Sequence, residues 1–87
     1  MTFFVYLIVS KNKGKKVSYV GYTKNLTNRI LLHNNGKGAK FTRGRKWKLV
    51  YYKKYISKKK AMSEEYKLKK DYKLRNKIKL EFYKRIK

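Results

Sequence analysis

Acidic side chains are scarce in this chain of 87 residues. It has four, Glu64, Glu65, Asp71 and Glu81, against 27 Lys and Arg residues, and its formal net charge is +23. An AT-rich coding sequence would explain why Lys greatly outnumbers Arg, but it would not explain the missing acids. A polyanionic partner would explain them, because it neutralises the positive charge and its binding releases condensed counterions. The composition therefore favours nucleic acid as the partner.

Cysteine and proline are absent, and there is one histidine. The chain can form neither disulfides nor Cys-based zinc sites, and a single histidine cannot build a His-rich metal site. The apolar run at residues 2–9 is far shorter than the ~20 residues of a membrane-spanning helix. It also lacks the basic region and the cleavage site of a signal peptide. We expect one domain, residues 1–87, in the cytoplasm, with no membrane association and no small-molecule cofactor.

Three segments have the composition of β-strands. Residues 3–9 are apolar on both faces and predict a central buried strand. The polar residues 10–15 predict a turn, after which residues 17–23 complete an antiparallel hairpin. Residues 47–56 predict a third strand. In that strand the alternation would place Trp47, Leu49 and Tyr51 on one face and Lys48 and Val50 on the other.

The first predicted helix follows the hairpin directly. Thr23 or Asn25 can cap it, and its apolar face carries Leu26, Ile30 and His33. The sequence Asn-Asn-Gly at residues 34–36 predicts its end.

Two further helices are predicted after the third strand. Ser57 can cap a helix over residues 58–70, and Asp71 can cap a last helix with Leu74, Ile78 and Phe82 on one face. One long bent helix is the alternative. The predicted fold is of the α/β class (α+β type), a three-stranded antiparallel sheet flanked by helices in the order β-β-α-β-α-α.

One acidic residue has an unexpected position on the second helix. At ~100° per residue, Glu65 falls inside an apolar stripe made by Ala61, Met62, Tyr66 and Leu68. A buried carboxylate without a partner is unfavourable, so an inward Glu65 suggests a bound divalent cation. The alternatives are an ion pair between Glu65 and Lys69, or Glu64 as the ligand if the helix is rotated.

The order of several short motifs resembles the GIY-YIG nuclease domain. These motifs are Val5-Tyr6 in the first strand, Tyr19-Val20-Gly21 in the second, Arg29 and His33 on the first helix, and Glu65 on the second. The resemblance extends from residue 3 to about residue 78. It is closest to small stand-alone bacterial proteins related to the catalytic module of a bacterial excinuclease, and residues 36–45 are similar to the loop typical of that branch. Each motif alone is weak, and their joint order and spacing carry the resemblance.

The resemblance implies a metal-dependent endonuclease that acts on nucleic acid, with DNA favoured over RNA as the substrate, and a role in DNA repair or recombination. Glu65 would bind one Mg²⁺ or Mn²⁺ ion whose other ligands are water and phosphate. Tyr6 would act as the base or position the attacking water. We expect the surrounding Lys and Arg residues to lower the pKa of this phenol, which is ordinarily near ~10.

The remaining motif residues receive supporting roles from the same resemblance. Arg29 would stabilise charge that develops on the phosphate, because its planar guanidinium suits a phosphate better than Lys does. His33 would orient the water or Tyr6, or relay a proton. Tyr19 would hydrogen-bond the phosphate or the water, and Gly21 would allow a close approach. Taken singly, Tyr6 and Tyr19 are more typical of core aromatics, His33 of a buried histidine and Arg29 of a solvated helix charge.

Six basic residues are the predicted contacts to the nucleic-acid backbone. They are Lys37, Lys40, Arg43, Arg45, Lys69 and Lys70. Backbone contacts position a substrate without reading its sequence, so we expect structure-selective or weakly sequence-specific cleavage.

The sequence departs from the family pattern at two places. Phe4 stands where the first motif has glycine. Some branches of the family carry another polar residue in the loop after the first helix, for which Lys40, Thr42 and Arg43 are candidates. The alternative functions are a non-catalytic basic nucleic-acid-binding protein that retains the fold, and a fragment of a homing-type nuclease.

Overall fold

A three-stranded antiparallel sheet forms the centre of the molecule. The computed structural model describes residues 1–12 and 15–85 and contains strands β1 (Phe3–Asn12), β2 (Lys15–Thr23) and β3 (Lys48–Tyr55). The strand order is β2-β1-β3, so the apolar first strand is central, as predicted. Strands β1 and β2 both extend into the turn predicted at residues 10–15. The remaining turn residues 13 and 14 lie outside the described residues.

Helix α1 (Leu26–Asn34) begins and ends at the predicted signals. The side chain of Asn25 caps its start by accepting a hydrogen bond from the Asn28 N–H at 3.0 Å. At its end Gly36 has a φ of 77°, in the left-handed region that glycine adopts without strain. The Lys37 N–H then donates to the Leu32 carbonyl at 2.8 Å, which closes a Schellman motif.

The C-terminal third of the chain forms two helices rather than one bent helix. Helix α2 (Lys58–Lys70) is capped by Ser57, whose hydroxyl accepts from the Lys60 N–H at 3.1 Å. Helix α3 (Tyr72–Arg85) is capped by Asp71, whose carboxylate accepts from the Leu74 N–H at 3.1 Å. The predicted order β-β-α-β-α-α is therefore confirmed.

No helix in the described part of the chain is long and apolar enough to cross a membrane.

Each face of the sheet carries its own hydrophobic cluster. The first combines sheet residues with the buried face of α2 and consists of Phe3, Val5, Leu7, Val20, Ala61 and Leu68. The second contains Tyr6, Ile8 and Trp47, with Leu26 and Ile30 of α1 packed against it. Alternate residues of β1 thus enter opposite clusters, which explains why this strand is apolar on both faces.

The predicted alternation along β3 is wrong at Tyr51. Leu7 pairs with Tyr51 but Ile8 pairs with Leu49, so a bulge places Val50 as an extra residue in β3. The extra residue reverses the phase of the strand. Leu49 consequently packs against the second cluster, while Val50 and Tyr51 pack against the first.

The apolar stripe of α2 is also narrower than predicted. Met62 and Tyr66 are 47% and 58% exposed. The face toward the sheet instead follows the spacing i, i+3, i+4, i+7 and consists of Ala61, Glu64, Glu65 and Leu68. Both glutamates are half-buried, with side chains 23% and 19% exposed respectively, so Glu65 does face inward.

Candidate active site

An open cleft of ≈ 590 Å³ runs beside the edge strand β2. Its lining comes from β1, β2, the start of α1 and one face of α2. Four of the five predicted catalytic residues line it, namely Tyr6, Tyr19, Arg29 and Glu65. The fifth, His33, is 1% exposed and hydrogen-bonded to Tyr6. The fold thus brings together residues that are up to 59 positions apart in the sequence, from Tyr6 to Glu65.

A chain of hydrogen bonds leads from Tyr6 into the interior. The Tyr6 hydroxyl lies 2.8 Å from Nε2 of His33, and Nδ1 of His33 lies 2.9 Å from the Thr42 hydroxyl oxygen. That hydroxyl in turn lies 2.9 Å from the Ala39 carbonyl oxygen. Thr42 is fully buried. Lys40, Thr42 and Arg43 were the polar candidates in this loop. Only Thr42 takes part in this series of hydrogen bonds, since Lys40 and Arg43 are exposed.

The positions of the hydrogens follow from counting donors. The Ala39 carbonyl can only accept, so Thr42 must donate its single hydroxyl hydrogen to it. The Thr42 oxygen therefore accepts from Nδ1–H of His33, and also accepts from the Ala39 N–H at 3.2 Å. In neutral His33 this leaves Nε2 unprotonated, so Tyr6 donates its hydroxyl hydrogen to Nε2. Thr42 thereby selects the histidine tautomer that can take a proton from Tyr6.

The loop that carries Thr42 is fastened to α1 and to the start of β3. The Trp47 indole N–H donates to the Thr42 carbonyl at 2.9 Å. The Asn34 side chain bonds the backbone of Trp47 on both sides, accepting from its N–H and donating to its carbonyl. These contacts bring Thr42 next to His33, and nothing in the local sequence pattern indicates that pairing.

Burial keeps His33 neutral. Loss of solvation lowers the pKa of the His33 imidazole below its ordinary value, and the nearby positive charge of Arg29 lowers it further. At neutral pH the ring is therefore uncharged and Nε2 is free to accept.

The expectation that the basic surroundings lower the pKa of Tyr6 is wrong. Burial raises the pKa of the Tyr6 phenol well above its ordinary value, and Tyr19 and Glu65 add to that increase. Arg29 lowers the pKa of Tyr6, as expected, but the increase caused by burial is larger. Exposed lysines interact weakly through water and salt, whereas desolvation acts directly on a side chain that is 2% exposed. Tyr6 is a neutral phenol at neutral pH.

Two glycines make room for the two rings of the hydrogen-bonded chain. A Cβ atom at Gly21 would overlap the Tyr6 hydroxyl and lie 2.6 Å from Cζ of that ring. A Cβ at Gly38 would overlap the His33 ring and lie 2.8 Å from its Cε1. Gly21 belongs to the family motif, whereas Gly38 was indicated only as one glycine of a basic loop.

Tyr19 forms an aromatic contact between His33 and an exposed ring. Its ring centroid lies 5.1 Å from that of His33 in a T-shaped arrangement and 6.2 Å from that of Phe41 in a stacked one. Phe41 is 57% exposed. The wall of the cleft therefore continues into an aromatic surface that sequence reasoning did not indicate.

Glu65 is the one carboxylate among the described residues that line the cleft. It also forms the alternative ion pair, since its Oε1 lies 3.6 Å from the Lys69 ammonium. Glu64 bonds Lys67 at 3.1 Å and Lys60 at 3.5 Å, and the Lys67 hydrogen bond lowers the pKa of its carboxyl. Glu64 does not line the cleft.

The donor set of the cleft fits a single hard cation. Among the described residues no three His, Cys, Asp or Glu side chains form a metal-binding group. Mg²⁺ keeps several of its waters and needs only one or two protein carboxylates. Glu65, half-buried in an open polar cleft that can admit phosphate and water, satisfies that requirement.

The six predicted backbone contacts lie outside the lining of the cleft. Lys37, Lys40 and Arg43 are exposed, and Arg45 is half-buried. Lys69 is paired with Glu65, and the Lys70 ammonium lies 4.7 Å from the centroid of the Tyr66 ring.

Two lysines that the sequence reasoning missed line the cleft instead, Lys24 and Lys58. Lys58 stands two helical turns before Glu65, so the same phase that turned Glu65 inward could have indicated it. Lys24 immediately precedes the cap residue Asn25, a position that the pattern does not distinguish from other surface lysines.

Comparison with known proteins identifies a family and several relatives. Residues 2–79 match the family described as GIY-YIG catalytic domain. A UPF0213 protein of Oceanobacillus iheyensis is 43% identical over 56 residues, which is 63% of this chain and 62% of the relative. A UPF0213 protein of Clostridium perfringens is 46% identical over 56 residues, 63% of this chain and 57% of the relative. The matches thus span less than two thirds of the length of these relatives.

A solved structure is also similar in sequence. It is the solution NMR structure of the UPF0213 protein BH0048 from Bacillus halodurans, with 43% sequence identity and a TM-score of 0.43. The comparison covers 79% of this chain and 71% of that chain.

Proposed function

The chain belongs to the GIY-YIG catalytic domain family, and from that membership we propose that it is an endonuclease that hydrolyses phosphodiester bonds in nucleic acid. The single observation that carries the proposal is the series of hydrogen bonds from Tyr6 through His33 to Thr42. It begins at Tyr6, which lines a cleft with cationic walls. Binding alone would need neither a selected histidine tautomer nor a carboxylate beside the phosphates.

Tyr6 and His33 would together remove a proton from the attacking water. Because burial keeps Tyr6 protonated, its oxygen would take the water proton as its own hydrogen passes to Nε2 of His33. Nδ1–H of His33 would stay bonded to Thr42 throughout. The proton therefore moves from water to Tyr6 and from Tyr6 to His33, and a free phenolate is never required.

Arg29 would stabilise the phosphate during the attack. Its guanidinium lines the cleft and can donate two parallel hydrogen bonds to phosphate oxygens. The ammonium groups of Lys24 and Lys58 would add positive charge along the same wall. Arg29 also disfavours a charged His33, so the proton that His33 takes up would be released again after the attack.

Glu65 would hold one divalent cation, Mg²⁺ or Mn²⁺. Such an ion supplies positive charge to the phosphate and to the leaving oxygen. Glu65 would exchange its ion pair with Lys69 for this role and release the Lys69 ammonium toward the nucleic-acid backbone.

The proposed substrate is DNA that is recognised by its structure rather than by its sequence. The exposed residues Lys37, Lys40 and Arg43 lie on the loop that carries the active-site Thr42, where they would contact phosphates. Phosphate contacts fix the position of a substrate without reading bases. A role in DNA repair would suit such selectivity.

The test is a cleavage assay on a labelled panel with Mg²⁺, Mn²⁺ or EDTA. The panel holds single-stranded DNA, duplex DNA, a flap, a branched DNA and single-stranded RNA. We expect metal-dependent cleavage that Glu65→Gln abolishes. Glu64→Gln is the matched control, because it makes the same chemical change on the same helix outside the cleft. Tight binding without cleavage by the wild-type protein would favour the non-catalytic alternative, and full activity in Glu65→Gln would remove Glu65 from the site.

A further inference from the structure

A second pocket lies at the other end of the sheet, under the last turns of α3. It has a volume of ≈ 440 Å³ and shares no lining residue with the cleft. Its lining consists of Val9, Lys11, Lys16, Lys46, Lys48, Phe82 and Tyr83. We call it the lysine-aromatic pocket.

The strand register concentrates positive charge in this pocket. Lys11 of β1 stands directly opposite Lys16 of β2, and Val9 of β1 stands opposite Lys48 of β3. Because Val9 and Lys11 are two residues apart on one strand, all three lysines project from the same face of the sheet. Like charges directly opposite each other destabilise a sheet. None of the described lining residues is acidic, so the charge of this lining would attract an anion.

The aromatic residues add a surface for stacking. Phe82 and Tyr83 are half-buried, with ring centroids 5.4 Å apart in an edge-to-face arrangement. The Lys16 ammonium lies 4.7 Å from the centroid of the Tyr83 ring. The Tyr83 hydroxyl is buried and has no hydrogen-bond partner among the described residues. Ammonium groups beside an aromatic surface and an unpaired hydroxyl suit a ligand with a phosphate, a flat ring and polar ring edges.

We propose that the lysine-aromatic pocket binds one nucleotide of a single strand, with the base on Phe82 or Tyr83 and the phosphate on the lysines. A single strand is required, because the faces of bases inside a duplex are already covered by their neighbours. This proposal rests on nucleic acid being the substrate. It adds that the substrate has a single-stranded segment that occupies a site separate from the cleft.

The positions of the two sites on one strand support a shared substrate. Phe3 lines the cleft and Val9 lines the pocket, and the two lie six residues apart on the same face of β1. At ~3.3 Å per residue these positions are about 20 Å apart along the strand. A short single-stranded segment could therefore reach from one site to the other.

Two double variants test the proposal without any cleavage step. The pocket variant combines Lys16→Ala with Lys48→Ala and removes two charges from the pocket, and the control variant is its counterpart outside the pocket. Lys53→Ala with Lys59→Ala removes the same charge from exposed positions that line neither site. Binding of a short oligothymidylate and of a short duplex is measured in EDTA by fluorescence anisotropy. Titrations with the oligothymidylate and with inorganic phosphate are also followed through the ring-proton NMR shifts of Phe82 and Tyr83.

The expected result is selective for the single strand. The pocket variant should bind oligothymidylate about tenfold more weakly than the control variant, with little difference between them for the duplex. Oligothymidylate should shift the ring protons of Phe82 and Tyr83. Equal losses in the two variants, or shifts confined to cleft residues, would overturn the proposal. Ring shifts that inorganic phosphate alone reproduces would reduce the pocket to an anion site. Since no step involves cleavage, an inactive protein would still give a result here.

Discussion

The Tyr6 hydroxyl donates to Nε2 of His33 at 2.8 Å in a region where both side chains are almost completely buried. Two opposite effects of burial meet in this bond. Burial raises the pKa of Tyr6 and lowers the pKa of His33, so the proton stays on the phenol and the imidazole stays ready to receive it. The resting pair therefore carries no charge.

Thr42 is expected to act as a positioning residue. In Thr42→Val the Nδ1–H of His33 loses its acceptor. The ring can then carry its hydrogen on Nε2, and a protonated Nε2 cannot accept a hydrogen bond from Tyr6. We expect kcat to fall by about 10²-fold with KM little changed. The unpaired buried donor should also cost about 1–3 kcal/mol of unfolding free energy.

Two further variants separate positioning from general destabilisation. Thr42→Ser retains the hydroxyl and should restore most of the activity. Thr27→Val makes the same chemical change at an exposed position of α1 and should leave kcat unaltered. Unchanged kinetics in Thr42→Val would show that the histidine tautomer does not limit the reaction.

The stability of the protein should decrease as the pH falls below 6.5, the ordinary pKa of histidine. The pKa of His33 is lower in the folded chain than in the unfolded chain, so the unfolded state binds more protons in that range. The contribution is fully present above pH 6.5 and is lost as the pH falls through the lowered pKa. Cleavage should decrease over the same range, because a protonated Nε2 cannot accept from Tyr6.

Urea unfolding at several pH values between about pH 5 and pH 7 measures this dependence. His33 is the only histidine, so His33→Gln should remove most of the slope in that range. The lowered pKa of Glu64 contributes only near and below 4.5, outside the interval of the measurement. An unchanged slope in His33→Gln would assign the dependence to other groups.

Local signals in the sequence predicted most of the architecture. Asn25, Ser57 and Asp71 cap the helices as their residue types indicate, because capping depends on backbone groups three positions away. The bulge at Val50 was not predictable in this way, because it depends on how β3 pairs with β1. The inward position of Glu65 followed from helical phase alone, although Tyr66 beside it is exposed.

The chemistry of the site was less predictable than its residues. The many nearby Lys and Arg residues suggested a lowered pKa for Tyr6. Desolvation of the buried phenol raises that pKa by more than the solvated positive charges lower it. The bond between His33 and Thr42 links a helix to a loop nine residues later, and no periodicity connects them. Tertiary contacts decide both properties.

Gly38→Ala should disrupt the site by displacing the His33 ring. The added Cβ would overlap that ring, and overpacking of this kind typically costs about 1–3 kcal/mol. We expect a large loss of cleavage even under conditions where the variant is fully folded, because the bond from Tyr6 to Nε2 depends on the ring position. Cleavage rates and urea unfolding of the same preparation give the two quantities.

Gly36→Ala and Gly44→Ala are controls for backbone strain. Both glycines have a positive φ, 77° and 74°, and a Cβ at either would meet nothing within 4 Å. Each variant should lose about 1–2 kcal/mol of stability through strain while the folded protein keeps its activity. An active, folded Gly38→Ala would mean that the ring tolerates displacement.

Nucleic-acid affinity should fall steeply with salt, because its main source is the neutralisation of phosphates by this highly basic chain. If about six phosphates are contacted, affinity should decrease by about 10³-fold between roughly 50 and 200 mM salt. Fluorescence anisotropy in EDTA measures it without cleavage. Lys37→Ala with Lys40→Ala should reduce the slope of log affinity against log salt by about two if each residue contacts one phosphate. Affinity that does not depend on salt would instead require recognition through uncharged contacts, which the exposed lysines of this loop could not supply.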